Sequence, residues 1–317
     1  MCTSIAMKTD DFYFGRNMDI YYSFGERVVF TPRNYPFTFT SIGTVSEHYA
    51  IIGMATVIDG YPLYADAVNE KGLCMAALDF PRNAYYKSNA DEGKIGVAQY
   101  EILPYLLSRC ASVSEVKEEL RKIQIVDIPF NVNVPSVPLH FHIADKNSGI
   151  TVEQTSFGLN VYDNEIGVLT NNPEFPFHRE NLLRYTNICP YNTENALYEK
   201  NGIEHFGQGL GSVGLPGDFS SPSRFVKAAY LLSCRFEERE EKRSVAHFFR
   251  ILSAVAPLKG SMLMKSGEDD MTVYTCCMNA DKGIYYYTTY FSHKIESVSF
   301  SDCNLSTDVL AVFELKK

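Results

Sequence analysis

The sequence predicts an α+β fold in one domain. Strand patterns and helix patterns come in separate groups: the first half of the chain is rich in strands, helix patterns are few, and two more strands lie near the C-terminus. A doubly wound parallel sheet would alternate strand and helix throughout, so the grouping argues against that class. The 317 residues, of which 45% are hydrophobic, can bury a large core, and we expect a single domain over 2–317.

The chain opens with a predicted β-hairpin. Polarity alternates over 3–8 and again over 12–19, and the polar residues 9–11 break the pattern between them. Antiparallel pairing across this turn would place Cys2 opposite a residue near Met18. The side chains at the far end of the second strand would therefore lie close to position 2.

Further strands and helices follow from local patterns. Short apolar or alternating runs bounded by turn residues predict strands at 27–31, 50–57, 63–68, 73–80, 139–144, 150–154, 159–162, 271–278 and 284–290. Ser112 and Glu115 form a capping-box pattern before a helical stripe that reaches Ile123. Another helix begins near Ser221 with a proline in its first turn, and a third covers 243–255.

Residues 191–223 form a segment rich in Gly, Asn and Pro with little periodicity. We expect a surface excursion, because a loop of this length in a compact domain is usually functional or an oligomer contact. Within it, 209–214 match the pattern GxGxxG. No strand precedes the match and a proline follows where a helix should begin, which favours a flexible loop over a nucleotide site.

The composition argues against several partners. A net charge of −9 and a pI near 5.3 disfavour nucleic acid, because phosphate binding needs a basic surface. No apolar run approaches the length of a membrane span and the first residues lack a signal-peptide pattern, so we expect a soluble, cytoplasmic protein with no membrane partner. The eight cysteines include no Cys-x-x-Cys pair, which favours reduced thiols over disulfides or zinc ligands.

Cys2 is the most informative residue for chemistry. Methionine aminopeptidase acts before small residues, so removal of Met1 would expose the α-amine of Cys2. An α-amine has an ordinary pKa of about 7.7 to 8.0 and could take the proton of the thiol, which gives a self-contained nucleophile and base. In the predicted hairpin, Asp19 could orient the α-ammonium and Arg16 would favour the thiolate. The alternative is a chance cysteine beside a solvated pair of charges.

Ordered motifs along the chain resemble one known family. They include Met1-Cys2-Thr3, Gly15-Arg16-Asn17-Met18-Asp19, Asn69-Glu70-Lys71-Gly72-Leu73, Thr170-Asn171-Asn172-Pro173, Gly214-Leu215-Pro216-Gly217-Asp218 and Ser221-Pro222-Ser223-Arg224. The chain resembles the choloylglycine hydrolase family, which contains bile salt hydrolases and penicillin V acylases. The resemblance extends from Cys2 to about Tyr290.

The resemblance implies a four-layer αββα N-terminal nucleophile fold, in which two stacked antiparallel sheets lie between helical layers, usually assembled as a homotetramer. It implies that Cys2 is the nucleophile and base, that Asp19 orients its amine and that Arg16 lies beside the thiol. Asn171 would offer its side-chain N–H to the oxyanion, and Arg224 would complete the polar cluster.

Asp79 departs from the family pattern. It occupies the position at which bile salt hydrolases usually carry an asparagine of the oxyanion site. The backbone N–H of Asp79 can still donate to an oxyanion, whereas its carboxylate would repel one. We therefore expect the carboxylate to point away and to pair with Arg82 or Arg224.

Hypotheses from two classes follow. The first is an amide hydrolase that needs no cofactor and acts on glycine- or taurine-conjugated bile salts, with a penicillin V acylase or a broader N-acyl amidase as the alternative enzyme. The second is a non-catalytic binder of amphipathic acids, which would have no use for the complete set of site residues. His140 and His142 share a strand face and could hold a metal, but no further ligand follows at the usual spacing, so structural roles are favoured.

Overall fold

The structure, a computed structural model, describes residues 1–192, 200–204 and 207–316. One of its two large sheets contains six antiparallel strands, which are Cys2–Lys8 (β1), Phe12–Ile20 (β2), Val168–Leu169 (β14), Met271–Asn279 (β15), Ile284–Thr289 (β16) and Ser292–Ser299 (β17). In space they run in the order β14-β1-β2-β15-β16-β17. The hairpin that carries Cys2 therefore lies inside this sheet, with a neighbouring strand on each side.

The other large sheet contains eight antiparallel strands. They are Arg27–Thr31 (β3), Ile51–Ile58 (β6), Tyr61–Asn69 (β7), Cys74–Asp79 (β8), Leu139–Ala144 (β11), Gly149–Thr155 (β12), Gly158–Asp163 (β13) and Ala311–Phe313 (β18), in the spatial order β13-β12-β11-β8-β7-β6-β3-β18. Two small pairs complete the strands: Phe37–Phe39 (β4) with Gly43–Val45 (β5), and Ile95–Ala98 (β9) with Ile123–Val126 (β10).

Helices cover the outer faces of both sheets. Those with described bounds are Ile102–Arg109 (α1), Val113–Leu120 (α2), Phe175–Asn181 (α3), Ser221–Ser233 (α4) and Glu241–Ser253 (α5), together with the 3₁₀ turns Leu182–Tyr185, Leu210–Ser212 and Phe300–Asp302. Helices α4 and α5 pack on β1 of the six-stranded sheet, and α1 packs on β6, β7 and β8 of the eight-stranded sheet. None of these helices combines the length and the apolar composition needed to cross a bilayer.

The two sheets face each other across the main hydrophobic core. Ile5 and Phe14 of one sheet and Ala76 and Leu78 of the other belong to a single buried cluster, which continues to Phe248 of α5. A second cluster joins the far side of the eight-stranded sheet to α1 and α2. The order is helix, sheet, sheet, helix, and the predicted four-layer αββα arrangement is confirmed.

The predicted N-terminal hairpin is confirmed, including its register. Cys2 pairs with Met18 and Ser4 pairs with Arg16. Gly15 is required by close approach, because a Cβ there would come within 2.1 Å of the carbonyl oxygen of Cys276 on β15. This contact lets β2 pack closely against β15 next to Arg16.

Local differences from the predictions have physical causes. Ser112 caps α2 by accepting from Glu115 N, but the Glu115 carboxylate accepts from Ala111 N, so the capping box is only half formed. The helix ends at Leu120, and Ile123 begins β10 instead of continuing the helical stripe. Helix α1 was not predicted because residues 102–108 are all buried and show no polar face. Strands β4, β5, β14 and β18 have two or three residues, too few to display a period.

The predicted excursion at 191–223 falls partly outside the described residues, which omit 193–199 and 205–206. In the described part, Gly209 has φ +88° and precedes a 3₁₀ turn. The GxGxxG match is therefore a loop, as predicted, and not the strand-turn-helix unit of a nucleotide site.

Candidate active site

Cys2 lies at the start of β1 with its thiol directed at the guanidinium of Arg16. The Sγ atom contacts Arg16 Nη2 and lies 4.0 Å from Met18 Sδ. The residue is only 3% exposed. The positive charge of Arg16 therefore lies directly beside the sulfur that the sequence predicts to be the nucleophile. The Met18 contact was not predicted, although the hairpin register already placed this residue opposite Cys2.

Arg16 is fully buried and anchored by backbone carbonyls. Its Nη1 donates to Ala77 O at 2.6 Å and to Ala65 O at 3.4 Å, and its Nε donates to Asn17 O at 3.3 Å. Burial alone would lower the pKa of the guanidinium, but the negative charge available at Cys2 and nearby groups raises that pKa above its ordinary value. Arg16 therefore remains a fixed cation beside the thiol.

A buried carboxylate that the sequence did not reveal lies in the same cluster. Asp66 accepts from Tyr274 Oη and Tyr285 Oη, each at 2.6 Å, and from Cys276 Sγ at 3.4 Å. Burial raises the pKa of the Asp66 carboxyl, and the charge of Arg16 opposes that rise. Its place next to Ala65, a partner of Arg16, makes it a counter-charge for the guanidinium. Only the register of β7 and β15 could have indicated this grouping.

Asn171 connects the Cys2 backbone to β8. Its Oδ1 accepts from Cys2 N at 2.9 Å and from Arg224 Nη2 at 2.7 Å, while its Nδ2 donates to Asp79 O at 2.7 Å. Because Oδ1 meets two donors, the orientation of the amide is fixed. Among the described residues, the second hydrogen of Nδ2 has no acceptor.

Arg224, on α4, ties three segments together. Its Nη1 contacts Cys2 O and donates to Thr3 Oγ1 at 2.6 Å, and its Nε donates to Phe219 O at 2.9 Å. Asp19 Oδ2 lies 4.0 Å from Arg224 Nη1. Burial lowers the pKa of Arg224, and Asp19 opposes that shift.

Asp19 is a buried residue near the end of β2, next to the N-terminal amine. Its Oδ1 accepts from Thr272 Oγ1 at 2.6 Å, and its Oδ2 has no hydrogen-bond partner among the described residues. The Met1 amine donates to Asp19 O at 2.6 Å and lies 3.4 Å from Asp270 Oδ2. Burial raises the pKa of the Asp19 carboxyl, whereas Arg224 and the N-terminal amine oppose the rise. Thr272 and Asp270 were not predicted; the pairing of β15 with β2 brings both beside Asp19.

Asp79 ends β8 and reaches the site through its backbone. Phe80 N donates to Pro138 O, so in the alternating antiparallel pattern the N–H and C=O of Asp79 point away from β11. The carbonyl indeed meets Asn171, and the N–H faces the same side.

The expected pairing of the Asp79 carboxylate is wrong. No ion pair joins it to Arg82 or Arg224, and the residue is exposed. Arg224 instead contacts Cys2 O, Thr3 Oγ1, Asn171 Oδ1 and Phe219 O. Burial by the cavity walls still raises the pKa of the Asp79 carboxyl, and the charges of the N-terminus, His140 and Arg16 lower it.

A cavity of about 470 Å³ opens beside the thiol. Its walls are mainly aromatic and aliphatic, and its polar groups gather near Cys2. Apolar lining comes from Ile20, Tyr21, Tyr22, Phe24, Leu63, Leu103, Val134, Pro135, Val137, Leu139 and Met264, and acidic lining from Asp19, Asp79 and Asp270. The shape and lining fit an amphipathic ligand with a large apolar part.

The two strand histidines have protein partners. His140 Nδ1 lies 3.1 Å from Glu153 Oε1 and His140 Nε2 lies 2.9 Å from Thr170 O, while His142 Nδ1 lies 2.8 Å from Ser4 Oγ. Both ring nitrogens of His140 are thus occupied. Within the described residues no group of three His, Cys, Asp or Glu side chains could hold a metal ion.

Comparisons with known proteins agree along the whole chain. The family model described as linear amide C–N hydrolases, choloylglycine hydrolase family, matches residues 2–313. A bile salt hydrolase/transferase of Lactiplantibacillus plantarum is 42% identical over 100% of this chain and 97% of its own. A conjugated bile acid hydrolase of Lactobacillus gasseri is 39% identical, with coverage of 99% and 100%.

Solved structures give the same result. A mutant conjugated bile acid hydrolase from Clostridium perfringens superposes with a TM-score of 0.92 at 39% identity, covering 100% of this chain and 97% of that one. A penicillin V acylase from Agrobacterium tumefaciens has a TM-score of 0.76 at 16% identity, covering 98% and 90%. The second likeness concerns the fold alone.

Proposed function

We propose that this chain, which belongs to the choloylglycine hydrolase family of linear amide C–N hydrolases, deconjugates bile salts by hydrolysing their glycine or taurine amide bond. The observation that carries this proposal is the Cys2 thiol, held against Arg16 at the edge of an apolar cavity. The cavity receives the apolar acyl part of the substrate and brings the amide carbonyl to the sulfur. Full-length relatives named as bile salt or conjugated bile acid hydrolases support the substrate class.

The reaction begins once Met1 has been removed. Asn171 Oδ1 already accepts from Cys2 N, so the same contact would hold the new α-amine next to the thiol. The Oδ2 atom of Asp19, which accepts no hydrogen bond from a described residue and lies 4.0 Å from Arg224 Nη1, supplies a negative charge for the ammonium form. The amine takes the thiol proton, and the sulfur attacks the amide carbonyl.

Two donors stabilise the tetrahedral oxyanion that forms. One is the free hydrogen of Asn171 Nδ2, and the other is the backbone N–H of Asp79, which faces the same side. Donors that are fixed before the reaction are worth about 3 kcal/mol each in other enzymes. Collapse breaks the C–N bond, and the leaving amine takes the proton from the Cys2 α-ammonium.

Water completes the cycle. The α-amine of Cys2 removes a proton from a water molecule, which attacks the thioester carbonyl. The C–S bond breaks, the thiol regains its proton, and the free bile acid leaves. Every proton transfer uses a group within the described site.

We also propose that each chain forms a single catalytic domain, and that four identical chains assemble into a cytoplasmic homotetramer. The acidic composition and the family membership support this state. Tyr191 and Val213, both within the surface excursion, are 73% and 66% exposed, and apolar side chains of this kind suit a subunit contact.

The decisive experiment supplies the protein with glycocholate, taurocholate and penicillin V and measures the released amine and acid by mass spectrometry. We expect cholate release from both conjugates and little cleavage of penicillin V. Cleavage of penicillin V alone would replace the proposed substrate class by the acylase alternative. Binding of glycocholate without any release of glycine would support the non-catalytic binder.

A further inference from the structure

His140 contacts the two segments that carry the proposed oxyanion donors. The residue lies on β11 and is fully buried. Its Nε2 donates to Thr170 O at 2.9 Å, and Thr170 directly precedes Asn171. Its ring stacks on Phe80 with 4.2 Å between centroids and an interplanar angle of 7°, and Phe80 directly follows Asp79.

Glu153, on the neighbouring strand β12, fixes the other side of the ring. Its Oε1 lies 3.1 Å from His140 Nδ1 and accepts from Phe175 N at 3.0 Å. Phe175 begins helix α3, which follows Asn171 in the chain. The pair therefore clamps the chain on both sides of Asn171, at Thr170 and at Phe175.

We propose, on the basis of the function proposed above, that His140 is a positioning residue that sets the distance between the Asn171 and Asp79 donors. The side chain does not touch the substrate. It acts through Thr170 and Phe80, which leave their neighbours little freedom to move apart. Donors aimed at the transition state lose most of their effect when displaced by about 1 Å, so such a clamp affects turnover more than substrate binding.

The protons of the pair explain why both members are needed. Thr170 O is a carbonyl and only accepts, so Nε2 must carry a hydrogen. Glu153 Oε1 accepts from Phe175 N and also lies within hydrogen-bond distance of His140 Nδ1, so one carboxylate oxygen holds the ring and the start of α3 together. Glutamine at position 153 offers either an oxygen or an NH₂ group at that point. One atom of a glutamine cannot serve both His140 Nδ1 and Phe175 N as Glu153 Oε1 does, so we expect the His140 ring to be held less firmly.

The test measures binding of an aldehyde that forms the oxyanion. Cholan-24-al, the aldehyde of the bile acid side chain, adds to the Cys2 thiol: an S–C bond forms, the carbonyl π bond breaks, and the oxygen takes the negative charge or the thiol proton. The matched alcohol fills the same cavity without forming this bond. The ratio of the two inhibition constants therefore separates formation of the S–C bond and its oxyanion from simple binding in the cavity.

The expected result separates His140 from a merely structural histidine. In His140→Ala we expect the preference for aldehyde over alcohol to fall by at least about tenfold, with a similar loss in kcat and little change in KM. His140→Gln, which keeps an N–H near the Nε2 position, should recover part of the loss. His142→Ala removes a histidine that is equally buried on the same strand but contacts Ser4 instead, and it should keep the wild-type ratio.

Phe80→Leu serves if His140→Ala does not fold. It removes the ring stack but keeps the backbone N–H groups, and we expect a smaller loss in the same ratio. An unchanged ratio in folded His140→Ala or Phe80→Leu would overturn the inference. If the wild type does not hydrolyse cholyl amides, the proposed substrate class is wrong. The same ratio is then measured with phenoxyacetaldehyde and its alcohol. Failure of the substrate class and failure of the His140 inference therefore remain distinguishable.

Discussion

Asn171 Oδ1 accepts a hydrogen bond from Cys2 N at 2.9 Å, across 169 residues of sequence. In the chain that retains Met1, this nitrogen is a peptide nitrogen without basicity. After Met1 is removed, the same atom becomes the α-amine, already held beside the thiol. In the proposed mechanism, this contact links removal of Met1 to catalysis.

The first prediction follows from this contact. Protein that retains Met1 should hydrolyse conjugated bile salts at less than about one hundredth of the rate of processed protein, because the thiol lacks its base. Intact-mass measurement gives the processed fraction, and activity should rise in proportion to it. Full activity in a preparation that retains Met1 would refute the mechanism.

A second prediction concerns the nucleophile. Cys2→Ser should lose nearly all turnover and keep its melting temperature within a few degrees, because a hydroxyl is a much poorer nucleophile than a thiol near neutral pH. Cys303→Ser, at a partly buried thiol away from the site, is the matched control and should remain active. Equal activity in both variants would point to another nucleophile.

Asn171 allows its two functions to be separated. Asn171→Ala removes both the acceptor for Cys2 N and the Nδ2 donor, and we expect kcat to fall by about a hundredfold or more. Asn171→Asp keeps the acceptor and loses the donor. If the donor serves the oxyanion, Asn171→Asp should also lose most of its turnover and Asn171→Ala at least as much, whereas near-normal kcat in Asn171→Asp would leave only the role towards the Cys2 amine.

The hairpin and most strands could be predicted because their signals are local. The alternation of 3–8 and 12–19 predicted that Cys2 lies opposite a residue near Met18, and from it the proximity of Arg16; the structure pairs Cys2 with Met18 itself. Asn171 and Arg224 could be identified only through family motifs, since no local period reports a contact between β1 and residues far along the chain. Asp66, Asp270 and Glu153 carried no signal, because their importance depends on how separate strands stack.

Asp79 is a residue whose position could be predicted from the sequence but whose side-chain partner could not. Its position in the site followed from the motif, but the expected ion pair did not form. The guanidinium of Arg224 instead contacts the carbonyl oxygen of Cys2 and the side-chain oxygens of Thr3 and Asn171, and a sequence does not reveal which acceptor a cation will choose.

Buried histidines predict how stability depends on pH. Burial lowers the pKa of His142 to about 3 and that of His178 to about 4. In the unfolded chain both would protonate near pH 6.5, so the unfolded state binds more protons below that pH and the free energy of unfolding falls as pH decreases. Each histidine contributes a slope of about 1.4 kcal/mol per pH unit between its two pKa values.

The measurement is chemical denaturation between pH 7.5 and 4.5. Below pH 6.5, His142→Asn should reduce the slope of the free energy of unfolding against pH by the equivalent of about one proton. His293→Asn, at an exposed histidine, should leave this slope unchanged. Equal slopes in the two variants would show that His142 is not held neutral in the folded protein.

The last prediction concerns charge at the cavity. Asp79 is exposed beside the site and Asp270 lies nearby, so both carboxylates repel the anionic glycine or taurine group of a conjugated bile salt. Asp79→Asn keeps the backbone N–H donor and removes one negative charge. We expect kcat/KM for glycocholate to stay equal or rise severalfold, and kcat/KM for the uncharged cholylglycinamide to change little. Salt screens such repulsion, so raising the ionic strength should increase the wild-type value for glycocholate more than the variant value. A large loss on both substrates in Asp79→Asn would instead make the carboxylate itself catalytic.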